Sequence, residues 1–301
     1  MDLTVNLAGI RLEHPLMNAA GTCRSLDEVK NLLRAPIAAL MIGSITCEPR
    51  PGNSGEVFWP TDGFSLNSMG MPNPGLEYYR QYLPEMIRSS EKINRPVFVS
   101  IAGFYPGEYV QLAAMAFSAG AALVELNLSC PNVWDSGQQE PIACFNPKLM
   151  AQILQAVEEQ VGPRARVAVK LSPFSNPSLL WQIAQVIADF KVVKVVTTSN
   201  TFPNALFFDE AGKPRIATGA GLAGLAGPAL KPIALGQIRQ LRQLLPERIQ
   251  LIGVGGITHA QDIVDFERAG ATAVQIATEY FRRGEQAFVS ILQELIDLSP
   301  D

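Results

Sequence analysis

Ala121-Ala122-Leu123-Val124-Glu125-Leu126-Asn127-Leu128-Ser129-Cys130-Pro131-Asn132 is the stretch from which the rest of the chain can be read. Its first half reads as a buried strand. A cysteine and two asparagines follow where that strand should end. In a barrel of alternating strands and helices, chemistry gathers at that end of the strands. A thiol there can act as base or nucleophile, and flanking amides can fix a planar polar substrate by donating and accepting hydrogen bonds. Read alone, the same peptide is also compatible with a structural cysteine in a proline-terminated loop.

Outward from this segment, strand-like and helix-like runs alternate to both ends of the 301 residues. Leu3–Leu7 and Ile10–Leu12, with Ala8-Gly9 between them, read as a hairpin. Strands are expected at Leu16–Ala20, Ala38–Ile42, Pro96–Ile101, Leu123–Leu126, Val167–Leu171, Val192–Thr197, Ile249–Val254 and Ala273–Ile276. Helical runs separate them, near Ser25–Leu33, Gly75–Ser90, Gly107–Ala119, Pro147–Val161, Pro177–Ala188, Pro228–Leu245, Ala260–Ala269 and Glu285–Asp297. The strands are near-continuous apolar runs, as in a parallel sheet covered by helices. Eight such units without a linker predict one α/β domain over 1–301, a (β/α)8 TIM barrel preceded by the hairpin. An open doubly wound sheet would call for a glycine-rich turn after the first strand. Ala20-Gly21-Thr22 is not GxGxxG. Two long segments, Cys47 to about Pro74 and Ser199 to Gly227, are expected to be irregular and functional.

Composition narrows the function. A net charge of −4 and a pI near 5.4, with Lys and Arg scattered, argue against nucleic acid or an anionic membrane as the main partner. The N-terminal residues do not read as a signal peptide, and no apolar run is long enough for a membrane span. Cys23, Cys47, Cys130 and Cys144 have no CxxC spacing, and only His14 and His259 are present, so no metal or iron–sulfur site is expected. Free thiols suggest a reducing, cytoplasmic setting.

Three further groups carry chemistry. Gly253-Val254-Gly255-Gly256-Ile257 closes the seventh strand, Ala277-Thr278 the eighth, and Gly227 precedes a helix. Bare N–H groups there can surround a phosphate, and barrels often place one after strands seven and eight. Lys170 ends the fifth strand and calls for an anionic or electron-rich partner if buried, such as a cofactor ring that takes on negative charge. Asn67, Ser68, Met69, Gly70 and Met71 in one loop, and Ser199, Asn200 and Thr201 at the end of strand six, join Asn127 and Asn132. Four amides from three strand ends suit a ring with alternating N–H and C=O groups, such as a pyrimidine. No glycosidase-like carboxylate pair or Ser-His-Asp set stands out.

With these motifs the chain resembles the dihydroorotate dehydrogenase family of flavin-dependent barrels. The matching pieces are Asn18-Ala19-Ala20-Gly21, Asn67 to Asn73, Asn127 to Asn132, Val169-Lys170-Leu171, Ser199-Asn200-Thr201, Gly253 to Ile257 and Gln275 to Thr278. They occur in family order over nearly the whole chain. The cysteine in the Asn-Leu-Ser-Cys-Pro-Asn element is similar to the soluble class, where the membrane-bound class has serine. The resemblance implies FMN, held by Ala20, Gly21, Ser44, Asn127, Lys170, Gly227, Gly255, Gly256, Ala277 and Thr278. It implies a dihydroorotate site formed by Asn67, Met69, Gly70, Met71, Asn127, Asn132, Asn200 and Thr201. Cys130 would be the general base that takes the C5 proton while hydride leaves C6 for flavin N5, giving orotate in pyrimidine biosynthesis. It further implies a homodimer, with fumarate as electron acceptor, or NAD through an iron–sulfur and FAD partner subunit.

The chain departs from the soluble pattern at Gly43, where soluble members typically carry a lysine; Gly43-Ser44-Ile45-Thr46 is closer to the membrane-bound class. Arg24 aligns with a lysine that the membrane-bound class uses for the substrate carboxylate, and is expected to replace that charge. The segment Val133 to Pro141 also differs and is expected to act as a lid. Related readings are a paralogue acting on another cyclic imide or pyrimidine, a flavin-free lyase or isomerase with a phosphorylated substrate, and a catalytically silent barrel used as an interaction module.

Overall fold

Local sequence chemistry sets where each element begins. Ser25 accepts a hydrogen bond from Glu28 N–H, Glu28 bonds back to Ser25 N–H, and this capping box opens the helix Leu26–Leu32. Asn146 and Asn176 cap the helices Pro147–Val161 and Pro177–Asp189, each with proline in the first turn. Ala8 and Gly9 both take positive φ and close the antiparallel hairpin of Val5–Leu7 with Ile10–Leu12.

A computed structural model describes residues 2–135 and 138–298. Its centre is an eight-stranded parallel sheet of Leu16–Asn18 (β1), Leu40–Ile45 (β2), Val97–Ile101 (β3), Leu123–Asn127 (β4), Val167–Leu171 (β5), Val193–Thr198 (β6), Gln250–Val254 (β7) and Ala273–Ile276 (β8). Neighbouring strands pair in sequence order, and β8 pairs with β1. The architecture is the (β/α)8 barrel expected from the sequence. Only the β1–β2 seam has no strand ladder. There the buried Asn18 amide stands in for it: Nδ2 donates to Met41 O at 2.8 Å and Met41 N–H donates to Oδ1 at 2.9 Å.

The barrel interior begins apolar and turns polar. Met17, Met41, Phe98, Leu123, Ala168, Val195 and Ile252 pack within it. Toward the C-terminal ends of the strands come Ser100, Glu125, Lys170, Thr197 and Gln275, all buried. Barrel interiors ordinarily carry branched apolar residues at such positions. A second, larger core lies between the strands and the surrounding helices. Among the described residues, no helix is long and apolar enough to cross a membrane.

The two long segments differ from expectation. They supply Phe58–Pro60, Ser65–Asn67, Phe202–Ala205 and Ala223–Ala226, which form a four-stranded antiparallel sheet. Leu66, Ile216 and Ala223 form a small core beneath it. The helical run after Gly227 opens as a 3₁₀ turn, Pro228–Leu230, before Lys231–Leu244. A short helix, Thr278–Arg283, was not anticipated. In the segment read as a lid, Trp134–Asp135 pairs with Gln138–Gln139, while residues 136 and 137 lie outside the described residues.

Candidate active site

One cleft at the C-terminal ends of the strands gathers the residues expected above to hold the cofactor and substrate and to move the proton. Cys130, Arg24, Asn67, Met69, Gly70, Met71, Asn127, Asn132, Asn200 and Thr201 line it together with Ala20, Gly21, Ser44, Lys170, Gly227, Gly255, Gly256, Ala277 and Thr278. Its empty volume is about 1180 Å³, the mouth included.

Cys130 sits three residues beyond β4, half-buried in the cleft wall. Burial pushes its thiol above the ordinary value; a hydrogen bond from Asn132 N–H and the charges of Arg50 and Lys170 oppose that shift. The amides around it are already oriented. Asn132 Nδ2 donates to Asn67 Oδ1 at 3.0 Å, and Asn200 Nδ2 donates to Ser129 Oγ at 3.1 Å. Asn127 Nδ2 donates to Ser44 Oγ at 2.8 Å, while its Oδ1 accepts from Ser129 Oγ at 3.0 Å. An amide nitrogen carries two hydrogens, so each of these asparagines keeps a donor for a ligand. Asn53, which sequence reading missed, ties the loop to this wall by donating to Ser68 O and Asn132 O.

Lys170 is 5% exposed, and Glu125, fully buried, lies beside it with Nζ to Oε1 at 4.0 Å. The lysine therefore has an anionic protein neighbour, which sequence reading did not supply, as well as a place in the cleft. Arg24 also lines the cleft, but its Nη2 pairs with Glu28 Oε1 at 3.1 Å. At position 43 the backbone itself excludes a side chain. Gly43 has φ +102°, and a Cβ there would collide with Ser100 O and lie 2.8 Å from Ile45 N. The lysine of the soluble pattern has no room on this backbone.

At the far end, the N–H groups of Gly255, Gly256 and Ala277 find no backbone or side-chain acceptor among the described residues. Gly256 has φ +73°, and a Cβ there would come within 2.8 Å of Gly227 O. Thr278 Oγ1 lies 3.0 Å from Ser65 Oγ. Lys231, close by, is occupied by Asp262 and Asp265 at 2.5 and 2.7 Å. Phe58, Leu230, Ile257 and Phe281 give this part of the cleft apolar walls, and Glu279, paired with Arg283 at 3.2 Å, reaches it from below. Of these five, only Ile257 had a signal in the sequence, as the end of a quoted motif. Ser199 and Gln275 had one too, since both fall within quoted motifs.

These features fit FMN. Ala19, Ala20 and Gly21 line the cleft with small side chains, and the space at Gly21 is open, which suits a flat ring against backbone. The glycine N–H groups suit a phosphate without a basic side chain. Ser199 and Gln275 line the cleft, and Ser199 Oγ and Gln275 Oε1 are buried without a hydrogen-bond partner among the described residues, so a bound ring's polar edge could supply one.

Comparison with known proteins gives the same result from the whole sequence. The family model for dihydroorotate dehydrogenase matches residues 2–298. The probable dihydroorotate dehydrogenase A (fumarate) of Enterococcus faecalis is 32% identical over 99% of this chain and 94% of its own length. The catalytic subunit of dihydroorotate dehydrogenase B (NAD(+)) of Methanopyrus kandleri is 36% identical over 91% of this chain and 84% of its own. The crystal structure of the Eimeria tenella enzyme in complex with ferulenol superposes with a TM-score of 0.82 at 19% identity, covering 99% of this chain and 84% of that one, a likeness of fold. The chain belongs to the dihydroorotate dehydrogenase family.

Proposed function

We propose that this protein oxidises dihydroorotate to orotate with bound FMN, in pyrimidine biosynthesis, with Cys130 as general base. The observation that carries this reading is the meeting of one half-buried thiol, four oriented amides, a buried lysine and a glycine cradle in a single cleft. The family's enzymes are FMN flavoproteins acting on a CH–CH group.

When bound, FMN supplies the acceptor for the hydride that leaves substrate C6. The chain's own residues do the rest. Cys130 takes the C5 proton, which is acidified by the neighbouring carbonyl. Asn67, Asn127, Asn132 and Asn200 hold the substrate ring through their free amide groups, with Met69, Gly70, Met71 and Thr201 completing the pocket. Arg24 holds the substrate carboxylate, which requires it to share its guanidinium with Glu28. Lys170, Ser44, Ala20 and Gly21 would hold the cofactor ring. Gly227, Gly255, Gly256, Ala277 and Thr278 would hold its phosphate. The segment after Cys130 covers the substrate. The relatives' names point to fumarate or NAD as the final acceptor; NAD would be reached through an iron–sulfur and FAD partner subunit. We read the molecule as one barrel domain, a cytoplasmic homodimer.

Anaerobic mixing of the FMN-loaded protein with dihydroorotate tests the reading. The yellow band should bleach rapidly in the parent and at least about a hundredfold more slowly in Cys130→Ala. Equal rates would remove Cys130 from the chemistry. A protein that takes up no FMN would overturn the whole reading.

A further inference from the structure

The proposed function leaves one ionisable group in the quoted segment without a role. Glu125 lies on β4 in the barrel interior, opposite Ser100 on β3 and Ala168 on β5, two residues before Asn127 on the same face. Burying a carboxylate fully is costly unless charge and hydrogen bonds compensate. Its Oε1 accepts from Ser100 Oγ at 3.1 Å and lies 4.0 Å from Lys170 Nζ, while Oε2 has no hydrogen-bond partner among the described residues.

The hydrogen bonds leading away from it have a fixed direction. Ser100 has one hydroxyl proton and gives it to Glu125, so the 3.0 Å contact between Ser44 Oγ and Ser100 Oγ must be a donation from Ser44. Ser44 in turn accepts from Asn127 Nδ2. The other side of the same amide accepts from Ser129, whose hydroxyl accepts from Asn200. Every donor from Asn200 to Ser100 thus points along one path, which ends on the carboxylate. The same carboxylate is the anion closest to the buried lysine.

We propose that Glu125 is a positioning residue for both halves of the site. It offsets the charge of Lys170 at the cofactor site, and it sets the orientation of the Asn127 amide through Ser100 and Ser44. This rests on the flavin reading given above. A buried negative charge beside the ring disfavours placing further negative charge there, so Glu125 holds the flavin midpoint potential down.

Two variants separate these effects, each measured on FMN-loaded protein. Glu125→Gln keeps an acceptor for Ser100 and removes the charge, so the midpoint potential should rise. Ser100→Ala cuts the path and leaves Lys170 and Glu125 in place. It should weaken orotate, titrated by the flavin spectrum, roughly five- to tenfold with the potential unmoved. A parent-like potential in folded Glu125→Gln overturns the first role, and parent-like orotate affinity in Ser100→Ala overturns the second. If Glu125→Gln does not fold, Glu125→Asp, which moves the charge away by one methylene, takes its place with a smaller upward shift expected. A parent that binds no FMN sinks the underlying reading instead, and is seen before either variant is made.

Discussion

A thiol acting as a base must lose its proton, and at Cys130 the surroundings make that harder. Burial holds the group above its ordinary value despite Arg50, Lys170 and the Asn132 N–H. The thiolate is then a minor species at neutral pH, and the proton-abstraction rate should climb as pH is raised from 7 to 9. Stopped-flow bleaching with dihydroorotate across that range checks this; a flat profile would mean that the thiol does not titrate in the rate-limiting step. Position 43 makes a second residue-scale case. Restoring the lysine typical of soluble relatives would seem to add a useful charge. The Gly43→Lys side chain meets Ser100 O and Ile45 N instead. We expect the variant to lose at least about 2 kcal/mol in urea denaturation, with no gain in dihydroorotate affinity. Tighter substrate binding at unchanged stability would show that the strand can open to admit it.

At the level of elements, the barrel was legible because each strand is a short apolar run and several helices carry their own start signals, as at Ser25, Asn146 and Asn176. The β2 strand shows the limit. It reads as Ala38–Ile42 but runs Leu40–Ile45, because Gly43 and Ser44 look like a strand end and are in fact its continuation beside the cleft. The four-stranded sheet was illegible for another reason. Its strands are three or four residues long, and Ser65–Asn67 pairs with Ala223–Ala226 from more than 150 positions away, a distance no local pattern encodes. Motif residues of the cleft could be read because their polar groups interrupt apolar runs. Glu125 could not, since one carboxylate in a strand reads equally as a residue facing solvent. Asn18 was visible only as part of a motif, yet it closes the barrel. Asn18→Leu would leave Met41 N–H and C=O buried without partners, at about 1–3 kcal/mol each. Hydrogen exchange should then show faster opening at Met41 than in strands β4 to β6, along with a lower urea midpoint. Unchanged protection at Met41 would mean that the seam is held by other contacts.

For the molecule as a whole, the connection between the hairpin and β1 sets a pH limit that has nothing to do with catalysis. His14 lies in that connection, buried, and its Nδ1 accepts from Leu16 N–H at 3.3 Å as β1 begins. Burial, with Arg95 adding like charge, lowers its pKa from 6.5 to about 4. Protonation would cost both the desolvation of a cation and the hydrogen bond at Nδ1. The folded pKa is depressed, so the unfolded chain binds the proton first. The contribution is complete above about pH 6.5 and is lost as pH falls towards 4. At about 1.4 kcal/mol per unit, the full difference is about 3 kcal/mol. Many carboxylates also lose stability on acidification, so the parent's pH curve alone cannot isolate His14. The difference between parent and His14→Gln can, because glutamine offers an acceptor and does not titrate. Urea unfolding at pH 7.5 and 4.5 should show the parent losing roughly 2 kcal/mol more than the variant. Equal losses would mean that His14 is protonated without cost, and that the base of the barrel is open to water where the structure has it closed.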